Sequence, residues 1–496
     1  MSTVNNGPQI VRNGLILDLD ASSANSYGPI RAEVLVVAGG GAGGGYHGGG
    51  GGAGGVLYTS NYTIVRNTTY TVTVGLGGAG ANANSNTGDP GQNSIFSGAS
   101  TVLTAVGGGA GKSQGNATAA RNHGGSGGGG CDGNSSSITG GSGTAAQGFN
   151  GGDVSGESGG SLAVYYGTAG GGGAGGVGGT GGIVNGGFGG PGLPFSISGT
   201  TQYYGGGGGG TNLTNVLTYG IGGIGGGGTG GVSPSPYNSP LRYSANGSAN
   251  TGGGGGGYLY SGNGGGSGGS GIVIIRYKGP QKATGGTVTT VGSETVHTFT
   301  SSGTFVTGTN FIDLSGNGNN GSLVNGVGYS GSNGGSLSFD GINQRASTNY
   351  KPSGERSYFI WVKFSSLTHS SGYQLTGTQE NNAYTYIGIQ NGGDVYYYAG
   401  ASTGGNIGNP VTVNTWVNLG FALFPDGSRR VYKNGIEIHY NTGGLGGTAT
   451  LEFSVGCINQ NHFITGNISN VTIYNRALSA SEIMQNFQAT KTRFGL

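Results

Sequence analysis

Hydrophobic and polar residues alternate in two parts of the chain that lie far apart in sequence. Residues 14–21 (GLILDLDA) predict a half-buried strand. Its two faces carry Leu15, Leu17 and Leu19 against Ile16, Asp18 and Asp20. Further strands are predicted at Ser336–Asp340, Ser357–Ser365, Ala383–Gln390, Asp394–Ala399, Thr415–Phe424, Arg430–Lys433, Ile436–Tyr440, Thr450–Cys457 and Asn467–Tyr474. Short strands at this spacing, without a helical period, predict an all-β sandwich.

Local signals mark turns and one helix in the same region. The dipeptides Asn391-Gly392, Asp426-Gly427 and Asn434-Gly435 supply the positive φ that a two-residue hairpin turn requires. Near the C-terminus, Ser479 and Glu482 have the spacing of a capping box ahead of an apolar stripe. We therefore predict hairpins at these dipeptides and a helix that begins after Ser479.

A glycine-rich block separates the first predicted strand from the others. It covers residues 39–271, and most of the chain's 125 glycines fall inside it. Apolar, β-branched segments bound it at 33–38 and 271–277, and it holds strand candidates at 56–58, 70–74 and 101–106. These strands argue against disorder, which composition alone favours, and the lack of a sustained Gly-X-Y period excludes collagen. We expect a bundle of polyproline II helices whose interior is backbone.

Composition narrows the function classes. Only 7% of the residues are charged and the formal net charge is +2, so we expect neither nucleic-acid binding nor membrane insertion. The two cysteines lack the spacings of metal or redox motifs. The N-terminal MSTVNNGPQIVRN has no signal-peptide pattern, yet the residues are those of an exterior β-rich protein. That combination is typical of a virion part assembled in a host cytoplasm and then exposed.

Several motifs resemble the laminin-G-like, concanavalin A-like jelly roll. They are DLSGNGNNG (313–321), SLSFDG (336–341), FIWVKF (359–364), NTWVNLGFAL (414–423), VYKNGIEI (431–438) and ISNVTIYNRALSASEI (468–483). In that family a strand like GLILDLDA usually comes shortly before DLSGNGNNG. The resemblance therefore implies a discontinuous sandwich of residues 1–29 and 309–496, with residues 30–308 inserted into its first loop.

An insertion of this kind requires that the two ends of the insert lie close together. Pairing between 33–38 and 271–277, or the strand segment 287–306, would satisfy this requirement. The glycine block resembles the glycine-rich domain of bacteriophage tail-fibre adhesins, most clearly in VLVVAGGGAGG and GGSGIVIIRY. A segment like 283–306 typically precedes VLVVAGGG in such proteins, whereas here it follows, which suggests a circular permutation.

The resemblance to phage adhesins implies that loops between glycine runs recognise the host. Tyrosine suits such contacts because it joins a flat apolar face to a polar tip. The receptor-binding candidates are Tyr165, Tyr166, Tyr203, Tyr204, Tyr237, Arg242, Tyr243, Tyr258 and Tyr260. The alternative is that these tyrosines cover the sides and ends of the bundle.

Other candidate chemistry is weaker. Asp313, Asn317 and Asn319 offer oxygen ligands for calcium, although their spacing is not that of a calcium loop and a turn held by Asn and Gly is the alternative. Trp361 and Trp416 are expected in the core. The Glu-x-Asp-x-x-Glu string of glucanases on this fold does not occur, so we predict no catalytic residues and no cofactor apart from such calcium.

These observations predict a non-enzymatic phage tail-fibre or appendage protein that attaches to a host-surface glycan or outer-membrane receptor. We expect other virion proteins as partners and a homo-oligomer, of which a trimer is one form. The alternative is a structural decoration or connector whose sandwich docks another virion protein. A third hypothesis, ice or surface binding, requires a regular flat face.

Overall fold

The structure is a computed structural model of the chain. It describes residues 8–496 apart from 24–25, 82–86, 99–100, 115–120, 133–137, 156–166, 183–184, 213–218, 232–243, 260–263, 369–371, 379–384, 391, 400–403, 443–451 and 459–461. The chain divides into two compact units. The sandwich unit comprises Met1–Ile30 with Gly308–Leu496, and the glycine unit comprises Arg31–Thr307.

The described residues contain strands β1 to β28 and one α-helix. The first thirteen strands are β1 (Leu15–Asp20), β2 (Ile30–Val37), β3 (Val56–Ile64), β4 (Thr69–Thr73), β5 (Ser94–Ser97), β6 (Leu103–Ala105), β7 (Leu193–Phe195), β8 (Gln202–Tyr204), β9 (Ile272–Lys278), β10 (Ala283–Thr284), β11 (Thr287–Val291), β12 (Glu294–Phe299) and β13 (Gly303–Thr307).

The remaining strands lie in the sandwich unit. They are β14 (Asn310–Phe311), β15 (Gly321–Val324), β16 (Gly328–Ser330), β17 (Ser336–Asp340), β18 (Arg345–Thr348), β19 (Arg356–Phe364), β20 (Tyr373–Thr378), β21 (Thr385–Ile389), β22 (Val395–Ala399), β23 (Gly404–Gly408), β24 (Trp416–Leu423), β25 (Ser428–Lys433), β26 (Ile436–Thr442), β27 (Ser454–Val455) and β28 (Thr465–Tyr474). Helix α1 covers Ala480–Thr490, and 3₁₀ turns cover Ser332–Gly334 and Lys491–Phe494.

Two eight-stranded antiparallel sheets form the sandwich. The first has the order β16-β17-β28-β19-β24-β25-β26, with β1 also paired to β28. The second has the order β14-β15-β18-β27-β20-β21-β22-β23. Alternate residues of both sheets fill one apolar core, which includes Leu17, Val362, Ile387, Phe421 and Ile473. The all-β, concanavalin A-like prediction is confirmed.

Strand β1 completes the first sheet from the far N-terminal end of the sequence. It pairs antiparallel with β28, Leu17 opposite Ile473, after a bulge between Leu15 and Leu17. The predicted two-faced pattern holds for Leu15 and Leu17, but Asp18 is also buried. The face of β1 that was predicted to be exposed therefore carries a buried carboxyl group, that of Asp18.

Helix α1 closes the outer face of the first sheet. Its capping box is confirmed: the Ser479 hydroxyl accepts from the Glu482 N–H, and the Glu482 carboxylate accepts from the Ser479 N–H at 2.9 Å. Trp361 and Trp416 are buried as predicted, but they form a separate cluster with Phe494 instead of joining the main core. The reason is strand alternation, which turns them towards the C-terminal segment.

The predicted hairpin at Asn434-Gly435 is confirmed. Both residues have positive φ (52° and 78°), and they connect β25 to β26. At Asp426-Gly427 only Gly427 has a positive φ. Asn391 lies outside the described residues.

The glycine unit has its own β framework of two five-stranded sheets. Their orders are β11-β12-β9-β2-β3 and β10-β13-β4-β5-β6. Strand β2 enters the unit and pairs antiparallel with β9, placing Val37 opposite Ile272. This is the pairing that the insertion hypothesis requires.

The glycine runs bond to one another with a period of three residues. In the run 38–44, successive N–H groups donate to three different neighbouring runs in rotation, at 2.8–3.0 Å. The acceptors are Gly55, Gly52 and Gly49 for residues 38, 41 and 44; Gln92 and Asp89 for 39 and 42; and Gly269 and Gly266 for 40 and 43. Three residues per turn, with backbone groups directed outwards, is the period of a polyproline II helix.

Close approach of the runs explains why they consist of glycine. A Cβ atom built at Gly40 would lie 2.1 Å from the carbonyl oxygen of Gly253, and one at Gly43 would lie 2.0 Å from that of Gly256. Such distances are far below van der Waals contact, so any side chain at these positions forces the runs apart. The interior of the glycine bundle is therefore hydrogen-bonded backbone.

One side of the bundle is a double layer of glycine-rich runs. The buried runs 124–131, 167–174 and 205–211 carry the outer runs 148–154, 176–182, 185–192 and 220–224. Neighbouring outer runs are joined by Gly178 N–H to Asn150, Gly179 N–H to Phe188, and Gly189 N–H to Ile221. The outer runs contain the segments NGGD, VGGTGG, NGGFGGP and IGGIGG, in which every non-glycine residue is exposed and every glycine is buried or half-buried. We call this surface the X-G-G face; its outward residues are Asn150, Asp153, Val177, Thr180, Asn185, Phe188, Pro191, Ile221 and Ile224.

Candidate functional site

Three tyrosines stand in a row on the outward face of the second sheet of the sandwich. Strands β21 and β22 pair so that Tyr386 lies opposite Tyr398, and Gly388 lies opposite Tyr396. The alternate residues Ile387 and Tyr397 point into the core. The period of two therefore places Tyr386, Tyr396 and Tyr398 together on the other face. We call these three residues the tyrosine ladder.

The rings of the ladder stack on one another. The centroids of Tyr386 and Tyr398 are 5.5 Å apart with planes 8° from parallel, and those of Tyr386 and Tyr396 are 6.1 Å apart at 28°. Tyr386 therefore lies between Tyr396 and Tyr398 in the stack. Glycine at 404 makes room for the end of the row, because a Cβ there would lie 2.4 Å from Cδ2 of Tyr398.

Polar groups adjoin the ladder on the edge strand. Asn406 on β23 pairs in register with Tyr396, and its Nδ2 donates to Oδ2 of Asp394 at 3.0 Å. The Asn406 Oδ1 accepts from the Gly408 N–H at 2.8 Å, which fixes the amide orientation. Burial raises the pKa of the Tyr396 hydroxyl, so it stays neutral at physiological pH. The site therefore offers apolar ring surface, phenol hydroxyls, an amide and one carboxylate.

This combination suits a polyhydroxylated ligand. Ring surfaces accept the C–H faces of a sugar, and the hydroxyl, amide and carboxylate groups exchange hydrogen bonds with its hydroxyls. The sequence prediction missed these residues. A signal was present, because YTYIGI and VYYYA each place tyrosines two residues apart. Only the strand register shows that Tyr386 shares one face with Tyr396 and Tyr398, and Tyr384 lies outside the described residues.

The receptor-binding candidates of the glycine unit fall in different environments. Tyr204 and Tyr258 are buried, and Tyr204 packs in an apolar cluster with Val56. Tyr203 is 41% exposed on the β7–β8 hairpin. Burial gives Tyr204 and Tyr258 the packing role and leaves Tyr203 as the accessible candidate. Outside the described residues lie Tyr165, Tyr166, Tyr237, Arg242, Tyr243 and Tyr260.

The calcium candidates all hold the loop 313–319 against strand β1. Oδ1 of Asp313 accepts from the N–H of Asp18 at 2.9 Å, and Oδ2 accepts from the Ser315 hydroxyl at 2.7 Å. Asn317 and Asn319 donate their Nδ2 groups to the carbonyls of residues 15 and 16, at 2.9 and 2.6 Å. These contacts give the DLSGNGNNG motif a structural role. Among the described residues, no cluster of three His, Cys, Asp or Glu side chains could hold a metal ion.

The carboxylates considered for glycosidase chemistry lie in unrelated positions. Glu437 on β26 forms an ion pair with Arg430 at 3.0 Å, and Glu452 lies before β27. Asp18 and Asp20 lie on β1, where Asp20 is bound by Arg493 at 2.8 Å. None of these contacts pairs a carboxylate with a second one across a cleft.

A glycine-rich domain model matches residues 22–278, which is more than half of the chain. The chain belongs to the glycine-rich domain family. The same protein matches the concanavalin A-like lectin/glucanases superfamily over residues 340–484, which contain the tyrosine ladder. No curated protein sequence matches this glycine-rich protein.

Solved structures resemble the sandwich part at low identity. Domain 4 of an extracellular arabinanase from Geobacillus stearothermophilus is 21% identical, with a TM-score of 0.31, over 36% of this chain and 92% of that one. The binding domain of a Paraclostridial mosquitocidal protein is 19% identical (TM-score 0.30; 36% and 49%). Trypanosoma rangeli sialidase is 15% identical (TM-score 0.31; 38% and 32%). The glycine-rich protein thus spans less than half of the latter two chains, and likeness at this level carries no functional conclusion.

No helix among the described residues is both long and apolar enough to cross a lipid bilayer.

Proposed function

We propose that the protein is a non-enzymatic binding protein that attaches to a surface glycan through the tyrosine ladder. The observation that carries this proposal is the stacked row of Tyr398, Tyr386 and Tyr396 beside the Asn406–Asp394 pair. The match of residues 340–484 to a lectin-containing superfamily supports it. In this proposal the ladder is the binding site and the glycine unit is a rigid scaffold of polyproline II helices.

We further propose that the protein is a phage virion component, exposed on a tail fibre or similar appendage, that attaches to its host. The support is the glycine-rich family and the resemblance of VLVVAGGGAGG and GGSGIVIIRY to phage adhesins. Several copies on one appendage would convert weak sugar contacts into stable attachment. The alternative, a decoration or connector role, would have the sandwich dock another virion protein.

The test compares the full-length protein with matched tyrosine variants on an array of defined bacterial and plant glycans. We expect Tyr386→Ala and Tyr398→Ala to weaken binding of the selected glycan at least tenfold, because central aromatic contacts are binding hot spots. Tyr203→Ala, which removes an exposed tyrosine from the glycine unit, should bind like the wild type. Unchanged far-UV circular dichroism controls for folding.

Three results would count against the proposal. Loss of binding in Tyr203→Ala but not in the ladder variants would place the site in the glycine unit. Binding to no glycan, together with co-purification with virion fragments, would favour the connector role. Release of sugars from the bound glycan would identify an enzyme.

A further inference from the structure

The X-G-G face is an exposed, largely apolar surface of the glycine bundle. Val177, Phe188, Ile221 and Ile224 are 62%, 60%, 57% and 56% exposed. They occupy three neighbouring outer runs, whose outward residues recur every third position. Contiguous apolar surface of this kind usually marks an interaction site.

The charge and chemistry of the face restrict its occupant. Among its outward residues only Asp153 is charged, and it lies on the outermost of the four runs. A nucleic acid or an anionic membrane requires a basic surface, which the face lacks. The occupant therefore needs a contact surface with an uncharged centre, and the X-G-G face of a second copy of the chain has one.

The relief of the face is suited to a copy of itself. Seven of the nine outward side chains are followed by two glycines, so ridges alternate with furrows at about 9 Å along a run, at ~3.1 Å per residue. When two such faces meet about a two-fold axis, the side chains of one lie over the glycine pairs of the other. Both partners use the same surface, as in most symmetric dimers.

The area of the face agrees with this occupant. Its nine outward residues are all exposed. Burying one apolar side chain removes roughly 60–120 Å² from water, so nine positions offer on the order of 500–1,000 Å² to a partner. A stable interface buries about 800 Å² on each side, which lies within this range.

We propose that the X-G-G face is the homodimer interface of this protein, with a second copy of the chain as its occupant. The interface does not depend on the tyrosine ladder. Dimerisation would join two ladders into one bivalent particle and so strengthen attachment by effective concentration.

The test is sedimentation velocity of the full-length protein without ligand, from about 1 to 100 μM. We expect a dimer for the wild type and a monomer for the double variant Phe188→Glu/Ile224→Glu, since dimerisation would bury unpaired carboxylates. The matched control is Leu76→Glu/Val102→Glu, which places two glutamates at positions 61% and 59% exposed elsewhere on the glycine unit. This control should dimerise as the wild type does.

Two outcomes overturn the proposal. One is a wild-type protein that stays monomeric throughout the concentration range. The other is a double variant at 188 and 224 that associates as strongly as the wild type, which would place the interface elsewhere. Far-UV circular dichroism spectra that match the wild type establish that both double variants are folded.

Discussion

Adding one methyl group inside the glycine lattice should destabilise the glycine unit strongly. A Cβ at Gly41 would lie 2.1 Å from the carbonyl oxygen of Gly109. Ordinary C···O contact begins near 3.3 Å, so the runs 38–44 and 107–113 must separate by roughly 1.2 Å. The two bonds that join them, Gly108 N–H to Gly39 and Gly111 N–H to Ala42, are both 2.9 Å long and would then be broken.

The expected magnitude follows from those two bonds. Each broken bond leaves a buried donor and acceptor unsatisfied at about 1–3 kcal/mol, so Gly41→Ala should cost about 2–6 kcal/mol. The matched control is Gly182→Ala. A Cβ there meets no atom of the described residues within 4 Å, and its φ is not positive. Restricting the unfolded chain should make this variant neutral or more stable by about 0.4–1 kcal/mol.

Differential scanning calorimetry of the full-length variants measures both effects. We expect Gly41→Ala to melt roughly 5–15 °C below Gly182→Ala. Both tryptophans, Trp361 and Trp416, lie in the sandwich unit, so their fluorescence reports that unit alone. Melting temperatures within about 1 °C of each other would refute the close-packed lattice.

Three further predictions concern the sandwich unit. Burial raises the pKa of Asp18 from 3.8 to about 6. The contribution of this shift to the free energy of unfolding is therefore fully present below pH 3.8 and is lost as the pH rises through 6. The resulting change is about 3 kcal/mol. Urea titrations from pH 4 to 8 should therefore show a flatter pH profile for Asp18→Asn, and an unchanged profile would contradict the burial. The ring centroids of Phe494 and Trp361 are 4.0 Å apart. Phe494→Ala should therefore lower the free energy of unfolding by about 3 kcal/mol and red-shift the tryptophan emission. Leu496→Ala, at an exposed position, should do neither. Gly404→Val should displace the Tyr398 ring and weaken glycan binding as Tyr398→Ala does, and wild-type affinity would show that the ladder's end is not used.

Local patterns predicted the sandwich well because they reflect local physics. Alternation located strand Ser336–Asp340 within its observed bounds, and the Ser479–Glu482 spacing located the start of helix α1. Both signals are complete within a few residues. The resemblance to a known family placed residues 1–29 in the sandwich, but it did not name β28 as the partner of β1, which is more than 440 residues away along the chain.

The candidate site could not be predicted in the same way. The ladder depends on the register between β21 and β22, and a shift by one residue would turn one pair of tyrosines into the core. Similarly, the sequence predicted that Trp361 and Trp416 are buried, but not that they lie on the face that the C-terminal segment covers. These facts depend on long-range packing, which no single segment encodes.

The X-G-G pattern is visible in the sequence, but its physical reason lies in the hydrogen bonds between the glycine runs. Sequences such as VGGTGG and NGGFGGP place one variable residue at every third position. The period distinguishes runs with one exposed side from runs that are enclosed on all sides. Without the hydrogen bonds between runs, the pattern is indistinguishable from low complexity.

The three-residue period of the lattice also separates positions that evolution can change from those it cannot. Buried runs such as 38–44 reject any side chain at their glycines, whereas an outward residue such as Phe188 contributes no backbone bond that another residue could not make. Lineages can therefore exchange the outward residues one at a time while the scaffold stays constant. A surface of this kind can acquire new partners without a search for a new fold.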